Sequence, residues 1–356
     1  MMQTMGDAPE NLTLMQIMER FGTDEKARAY LESVRWPNGP VCPHCGNADR
    51  ARIYDLTANP GKRVRAGLRQ CVECSEQFTV TVGTIFEASH VPLRKWLIAW
   101  YLLCSSKKGF SALQLQRTLE IGSYRTAWFM FHRIRYAMKD PVFTDKLKGT
   151  VEADETWIGG KRKHVGHGYT GNKVSVLTIV ERDGRARSQV MDDVVSSKNI
   201  DAVLGRHVEL DATLNTDEAG YYNKPGRKFK KHNRVNHRAG EYVRGDATTN
   251  TVEGYFANLK RGIIGVYHHV GRKYLPQYLG EFDFRYNERK VTDGERTLAG
   301  LRKVEGKRLM LRRPKGTPTA PVPETTPPQP QPVPCSDARP CGVCSACHVF
   351  GTPKAA

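Results

Sequence analysis

The sequence predicts a multidomain protein of mixed α and β structure, and three features of the chain support this prediction. Two pairs of cysteines in the first quarter of the chain indicate a small β-rich module built around a metal ion. Three helical patterns follow, and residues 150–300 then alternate strands with helices. At 356 residues the chain is long enough for two or more domains, each with its own core.

A short amphipathic helical segment is predicted first, because Leu14, Ile17, Met18 and Phe21 recur at helical spacing. The start of the chain lacks the basic-then-apolar pattern of a secretory signal, so export is not expected. The longest apolar run, residues 96–104, is far shorter than the about 20 residues that a membrane span needs. We therefore expect a buried helix there and no membrane partner.

Two Cys-x-x-Cys pairs, Cys42 with Cys45 and Cys71 with Cys74, are separated by 25 residues. Each pair lets two thiolates reach one ion, and two pairs complete a closed tetrahedral shell that suits a structural Zn²⁺. A redox-active pair is the alternative, and the presence of two matched pairs argues against it. The period-2 run at 78–82 predicts a strand in the same module.

Three helical patterns span residues 92–104, 111–120 and 124–138, and Ser111 and Ser123 are suited to cap the last two helices. Short helices joined by tight turns predict a helix-turn-helix that binds DNA, and basic residues on the last two helices favour this reading. A three-helix packing unit with no DNA role is the alternative. The basic residues are Arg117, Arg125, His132, Arg133 and Arg135.

The region after residue 150 predicts a mixed sheet. Three strands joined by hairpin-length connections precede the first helix and a further strand, and this order is typical of a ribonuclease-H-like domain. A basic insertion and a long helix complete it. The predicted elements are strands at 151–158, 173–180 and 185–190, a helix at 197–206, a strand ending near Asp217, and the long helix from Thr251 onward.

The composition changes towards the C-terminus. Residues 314–334 are rich in Pro, Thr and Gln, which is typical of an extended linker. Four cysteines follow, whose spacing permits a second Zn²⁺ site, but the tail has little apolar material to fold around, and a disordered tail is the alternative. These cysteines are Cys335, Cys341, Cys344 and Cys347.

The charge of the chain favours a polyanionic partner. Lys and Arg number 55 against 37 Asp and Glu, which gives a formal net charge of +18 with neutral histidines. Such a surface attracts nucleic acid. A basic protein that is merely soluble, or one that meets an anionic membrane surface, is the alternative.

Acidic residues on two predicted strands indicate a site for phosphoryl transfer. This chemistry needs the attacking and leaving oxygens held by metal, and Mg²⁺ prefers carboxylate oxygens, water and phosphate. Asp154 lies on the first strand, where alternation places Glu152 on the same face and Glu155 on the other. Asp217 ends a later strand, with Glu218 pointing away or into the turn.

A third acid strengthens this interpretation. Glu253 follows Asp217 after 35 intervening residues, at the start of the long helix. Asn250 shares its helical face, and Lys260 lies two turns further on. Acids at strand ends usually face solvent, so the first pair alone is weak evidence, but the addition of a helical acid predicts a common site.

In these motifs the sequence resembles the bacterial insertion-sequence transposases of the DDE superfamily, in the zinc-ribbon subgroup whose third motif carries Asn before Glu. The resemblance covers about residues 15–300. The segments that carry it, in this order, are residues 42–45, 71–86, 153–161, 216–218, 235–237, 241–243, 249–253, 259–262 and 284–287.

The resemblance implies a ribonuclease-H-like fold and a transposase that cuts transposon ends and joins the freed 3′-hydroxyl to target DNA. It implies that Asp154, Asp217 and Glu253 bind two Mg²⁺ (or Mn²⁺) ions and that Asn250 belongs to the same site. Double-stranded DNA is the implied partner, bound by a homodimer or larger assembly in the bacterial cytoplasm, associated with the nucleoid. The resemblance does not reach the linker or the terminal cysteines.

Basic residues around the acids are predicted to contact DNA phosphates. Some lie in the basic insertion, where Tyr221, Tyr222 and Phe229 alternate with the charges as in nucleic-acid-binding surfaces. Others end the long helix. A solvated loop is the alternative. The predicted contact residues are Arg227, Lys228, Lys230, Lys231, Lys260 and Arg261.

Two other functions stay open at this point. One is a zinc-ribbon regulator that binds DNA without cutting it, against which the four site residues argue; the other is a nuclease that cuts without joining. The predicted segments are a helical lead-in (1–35), a zinc ribbon (36–90), a helix-turn-helix-like DNA-binding region (91–140), a ribonuclease-H-like catalytic domain (148–305), a Pro-rich linker (306–334) and a Cys-rich tail (335–356).

Overall fold

The computed structural model describes residues 13–62, 64–139, 145–160, 173–191 and 195–310. All of these belong to one compact unit. The four terminal cysteines and most of the predicted linker therefore lie outside the described residues, as does Lys161.

Two helices stand where the sequence predicts one amphipathic lead-in. They are α1 (Leu14–Arg20) and α2 (Asp24–Arg35). Of the four apolar residues predicted to share a face, Ile17 and Phe21 are buried and the other two are exposed. Because α1 has only seven residues, it packs on the core along a narrow stripe.

A three-stranded antiparallel sheet carries the second pair of cysteines. The prediction of a strand at 78–82 is wrong beyond Phe78, because the chain turns there. The backbone N–H of Val82 donates to the Thr79 carbonyl, and the Arg35 guanidinium donates to the carbonyls of Val80 and Val82. The strands are β1 (Ile53–Asp55), β2 (Arg69–Cys71) and β3 (Gln77–Phe78).

The three predicted helices are confirmed. Ser111 and Ser123 cap the second and third, since each side chain accepts a hydrogen bond from a backbone N–H in the first turn. The first is buried along most of its length and shares one core with the cysteine-bearing sheet. The helices are α3 (Leu93–Ser105), α4 (Ala112–Thr118) and α5 (Tyr124–Met138).

None of the helices in the described ranges combines the length and the apolar character that crossing a membrane requires.

Three of the basic side chains predicted to charge the surface of α4 and α5 are instead buried, namely His132, Arg133 and Arg135. The reason is that α5 packs between neighbouring helices: the Arg133 guanidinium lies over the Trp96 ring, 5.3 Å from its centroid. Arg135 Nε donates to Glu281 at 2.5 Å. These three residues form internal contacts, so the expectation that they add positive charge to the surface of these helices is wrong.

A five-stranded mixed sheet forms the centre of the second half. Its spatial order is β6-β5-β4-β7-β8; the pairs β4–β5 and β5–β6 are antiparallel, and β7 runs parallel to both β4 and β8. The last strand comes from the predicted basic insertion. The strands are β4 (Thr150–Ile158), β5 (Val174–Glu181), β6 (Ala186–Val190), β7 (Thr213–Thr216) and β8 (Lys231–Arg234).

Helices cover both faces of this sheet. The core on one face includes residues of α6, and the core on the other face includes residues of α8 and α9. A separate two-stranded hairpin, β9 (Val243–Arg244) with β10 (Ala247–Thr248), precedes α8. The helices are α6 (Ser197–His207), α7 (Asn223–Gly226), α8 (Asn250–Gly262), α9 (Leu275–Asn287) and α10 (Asp293–Leu301).

Candidate metal centres

The four cysteines predicted to bind zinc lie together. Cys42 Sγ is 3.7 Å from Cys74 Sγ, and Cys45 Sγ is 3.6 Å from Cys71 Sγ. All four sulfur atoms lie within 4.8 Å of one another. Four Zn–S bonds of about 2.3 Å in a tetrahedron place the sulfur atoms about 3.8 Å apart, so this donor set fits a Zn²⁺ ion.

Each cysteine pair lies in a turn of the same kind. The backbone N–H of Cys42 donates to the Asn47 carbonyl, and that of Cys71 donates to the Glu76 carbonyl. The residue after each second cysteine has a positive φ, 78° at Gly46 and 60° at Ser75. Two local turns therefore aim four thiols at one point, as the spacing predicts.

Carboxylates from two neighbouring strands form the second group of candidate ligands. Asp154 and Glu155 lie on β4, Asp217 directly follows β7, and one carboxylate oxygen from each lies within 4.8 Å of the others. The parallel pairing of β4 with β7 brings Asp217 beside β4. The predicted approach of Asp154 to Asp217 is thus present in the structure.

Glu155 belongs to this group, although strand alternation predicts it on the opposite face. The β4–β7 pairing ends at Glu152 opposite Asn215, so two residues later no strand flanks β4 on that side and adjacent side chains can both reach the gap. The buried Tyr222 hydroxyl donates to Glu155 Oε2 at 2.8 Å and holds it there.

Glu253 lies beside the group but outside it. It occupies the first turn of α8, where its Oε1 accepts a hydrogen bond of 2.8 Å from Thr249 Oγ1 and lies 3.4 Å from His237 Nε2. Its negative charge is close enough to contribute to the raised pKa of Asp154, although burial contributes more. Asn250 is the first residue of α8 and is exposed.

Burial raises the pKa of all three clustered carboxyl groups. The pKa of Asp154 rises to about 7, because of burial first and then of the charges of Asp217 and Glu253. The pKa of Glu155 also rises to about 7, mainly through burial. The pKa of Asp217 is raised by burial, and His237 opposes the rise. Bringing these acids together as anions costs free energy, which a bound divalent cation would offset.

Glu152 has a structural role. It is fully buried and accepts hydrogen bonds from the backbone N–H groups of Thr251, at 2.8 Å, and Val252, at 3.1 Å. These groups belong to the first turn of α8, where a negative charge is favourable. Glu152 therefore ties the helix that carries Glu253 to the strand that carries Asp154.

All six residues predicted to contact DNA are exposed on the surface. Lys228 pairs with Asp201 at 2.6 Å, and Arg261 Nε donates to the Ala257 carbonyl at 3.0 Å. Two aromatic residues of the same segment are not exposed: Tyr222 and Phe229 are buried in the core of the sheet domain. The expectation that these rings alternate with the charges on a DNA-binding surface is wrong.

Two families of protein domains match the chain. Residues 22–77 match the transposase zinc-ribbon domain, and residues 146–287 match the ISXO2-like transposase domain. The first range contains the four clustered cysteines, and the second contains the acidic group. The chain belongs to the insertion-sequence transposases of the zinc-ribbon subgroup.

A relative of this transposase comes from Halobacterium salinarum and is described as an uncharacterized protein in transposable element ISH50. It is 28% identical over 288 residues, which is 76% of this chain and 93% of the relative. The similarity therefore extends over nearly the whole relative.

Three residues in or beside the acidic group are not predicted from the sequence: Glu155, Tyr222 and His237. Glu155 was excluded by a strand alternation that fails where its neighbouring strand ends. Tyr222 is instead predicted to belong to a DNA-binding surface, because aromatic residues alternate with the charges in this segment. His237 falls in a motif that carries the family resemblance, and this was its one signal.

Proposed function

We propose that this transposase cuts the ends of its element in a reaction that depends on divalent cations and joins the freed 3′-hydroxyl to target DNA. The observation that carries the proposal is the convergence of Asp154, Glu155 and Asp217 within 4.8 Å, with Glu253 at the edge of the group. Carboxylate oxygens in this number suit Mg²⁺ or Mn²⁺.

The sheet supports a ribonuclease-H-like assignment for the catalytic domain. Three antiparallel strands are followed by two parallel ones, helices cover both faces, and the acids lie on the first strand and after the fourth. The first and fourth strands are neighbours, so their acids meet.

Asp154, Glu155, Asp217 and Glu253 would hold the cations. Cations bound there would supply the chemistry of activating a water and of stabilising negative charge on the leaving oxygen. The protein contributes fixed geometry: Asp154 Oδ1 accepts from the Glu155 N–H at 2.7 Å, and Asp217 Oδ1 accepts from the Ala219 N–H at 3.0 Å. Carboxylates held in this way need little reorganisation during the reaction.

Asn250 is assigned to the same site because it lies one turn before Glu253 and its side chain is exposed. An exposed amide at the N-terminus of a helix suits hydrogen bonding to a phosphate oxygen, and it also suits metal ligation. The six exposed basic residues would bind DNA phosphates around the site.

The zinc ribbon and helices α4 and α5 are proposed to bind double-stranded DNA, the latter pair as a helix-turn-helix. Arg117 and Arg125 support this role, since both are exposed on these two helices. A homodimer or larger assembly is proposed because two element ends must be held together for joining.

An assay with a labelled transposon-end DNA, a target plasmid and Mg²⁺ distinguishes three functions. A transposase cuts the end and joins it to the target, a nuclease only cuts, and a regulator shifts the DNA in a gel without cutting it. We expect cutting and joining by the wild type. If the Asp154→Asn or Asp217→Asn protein still joined DNA, these site assignments would be wrong.

A further inference from the structure

We propose that His237 is a positioning residue of the acid site, where its Nε2–H and the Thr249 hydroxyl together hold the carboxylate of Glu253 for cation binding. This inference rests on the proposed function, because it assigns a role within that site.

Two neighbouring side chains approach the same carboxylate oxygen of Glu253. Thr249 Oγ1 donates to Glu253 Oε1 at 2.8 Å, and His237 Nε2 lies 3.4 Å from that oxygen. His237 Nε2 is also 3.1 Å from Thr249 Oγ1. His237 Nε2, Thr249 Oγ1 and Glu253 Oε1 are therefore all close to one another. Thr249 is fully buried, which restricts the position of its hydroxyl.

The number of hydrogens available decides whether His237 Nε2 donates or accepts. A threonine hydroxyl has one hydrogen, and Thr249 uses it for Glu253. The contact between His237 Nε2 and Thr249 Oγ1 therefore requires the ring to donate, so Nε2 carries the hydrogen. The ring N–H thus holds the Thr249 hydroxyl, which in turn donates to Oε1, and this leaves Glu253 Oε2 available to a cation.

The backbone of His237 is itself attached to the second acidic motif. Its N–H donates to Glu218 Oε2 at 3.1 Å, and Glu218 directly follows Asp217. On the other side the imidazole packs on the Tyr242 ring, with centroids 5.2 Å apart. His237 thus lies between the segment that carries Asp217 and the helix that carries Glu253.

This arrangement accounts for the position of Glu253. Its side chain is 44% exposed, so without restraint it would sample several rotamers. Residues that hydrogen-bond a metal ligand set its orientation, and their loss typically lowers metal affinity or activity about 10-fold to 100-fold. We expect His237 to have an effect of that size on cation binding at Glu253.

The test uses three variants of the full chain. His237→Ala removes the donor, and His237→Gln keeps an N–H donor while removing the ring. His268→Ala is the matched control, because His268 is exposed and its ring makes a hydrogen bond to the Ile264 carbonyl, away from the acidic group. Thermal unfolding establishes that each protein is folded.

Two quantities are measured: the affinity of the DNA-free protein for Mn²⁺, by titration, and the Mn²⁺ concentration that gives half-maximal DNA cleavage. We expect His237→Ala to weaken both about 10-fold or more, with DNA binding in Ca²⁺ unchanged. His237→Gln should recover most of the loss, and His268→Ala should match the wild type.

The inference is overturned if wild type and His237→Ala have the same Mn²⁺ dependence, or if His237→Gln is as impaired as His237→Ala. Failure of the underlying function gives a different result. In that case the wild type itself neither binds Mn²⁺ at the acid site nor cleaves DNA, and Asp154→Asn changes neither measurement.

Discussion

The two candidate metal centres of this chain are built in opposite ways. The zinc centre takes its four thiols from two local turns, each closed by its own backbone hydrogen bonds. The acid centre takes its carboxylates from β4 and from the end of β7, with Glu253 of α8 beside them, and their positions depend on the cores on both faces of the sheet.

This difference predicts what each ion contributes. The thiols lie in two short turns that are closed by few backbone hydrogen bonds, so zinc binding supplies folding free energy to the ribbon. The acid centre is already assembled by the fold, and its clustered carboxyl groups have raised pKa values. We expect that a cation there would offset charge repulsion and supply chemistry, and that the domain would fold without it.

Loss of zinc should give the largest effect. Structural Zn²⁺ contributes about 10–16 kcal/mol to folding in small zinc modules, so Cys42→Ser should unfold the ribbon. Hydrogen exchange should rise across residues 40–78 and change little in β4 to β8. Cys104→Ala is the control, because Cys104 is buried outside the cluster. Equal protection of the ribbon in Cys42→Ser would break the comparison.

Neutralising one clustered acid should abolish chemistry with little structural change. We expect Asp154→Asn or Asp217→Asn to reduce cleavage and joining at least about 1,000-fold. The reason is that losing one residue of a group that acts together removes most of the activity of the whole group. Gel shifts measure DNA binding, which should persist. Asp211→Asn, an exposed acid outside the group, should cleave like the wild type. An active Asp154→Asn protein would remove the basis of the proposed function.

Stability without metal should fall as the pH rises through the titration of Asp154. Its pKa is about 7 in the folded protein against an ordinary 3.8. A raised carboxyl pKa means that the folded state holds its proton more tightly, so stability is lost between about pH 4 and about pH 7. One pKa unit corresponds to about 1.4 kcal/mol, so the free energy of unfolding falls by a few kcal/mol at most.

The Asp154→Asn protein should therefore be more stable than the wild type at pH 8 by up to a few kcal/mol, and this difference should shrink towards pH 4. Urea unfolding of both zinc-loaded proteins, without chelator and without added Mg²⁺ or Mn²⁺, measures this difference. Saturating Mn²⁺ should reverse the order at pH 8. A pH-independent difference would contradict the burial of this carboxyl group.

The smallest effect is expected at Tyr222. Tyr222→Phe keeps the buried ring and removes the hydroxyl that donates to Glu155. Burial dominates the pKa of Glu155 and this hydrogen bond lowers it, so its loss should raise that pKa further. Mn²⁺ affinity should fall about 10-fold, and half-maximal cleavage should move to higher pH. Tyr221→Phe, its sequence neighbour, should leave both unchanged.

The zinc centre is also predicted from the sequence more completely than the acid centre. Cys42, Cys45, Cys71 and Cys74 are correct to the residue because their geometry is set by spacing alone. The helices α3 to α5 are correct because their periodicity and caps are local.

Features set by distant contacts were predicted less well. Arg135 looks like a surface charge until its buried partner Glu281, 146 residues away, is known. The strand β8 was hidden in a run of basic residues, since an edge strand next to β7 needs no apolar alternation on its exposed side. Predicting that Glu155 and His237 lie in or beside the acidic group requires knowing where β7 ends and where α8 begins.

The central claim is that the fold gathers Asp154, Glu155 and Asp217 into a site for a divalent cation, and crystals soaked in Mn²⁺ test it most directly. We predict an anomalous difference peak about 2.0–2.3 Å from carboxylate oxygens of this group, which disappears in Asp154→Asn crystals. A well-ordered site with no peak in saturating Mn²⁺, or a peak held equally by the Asn variant, would contradict it.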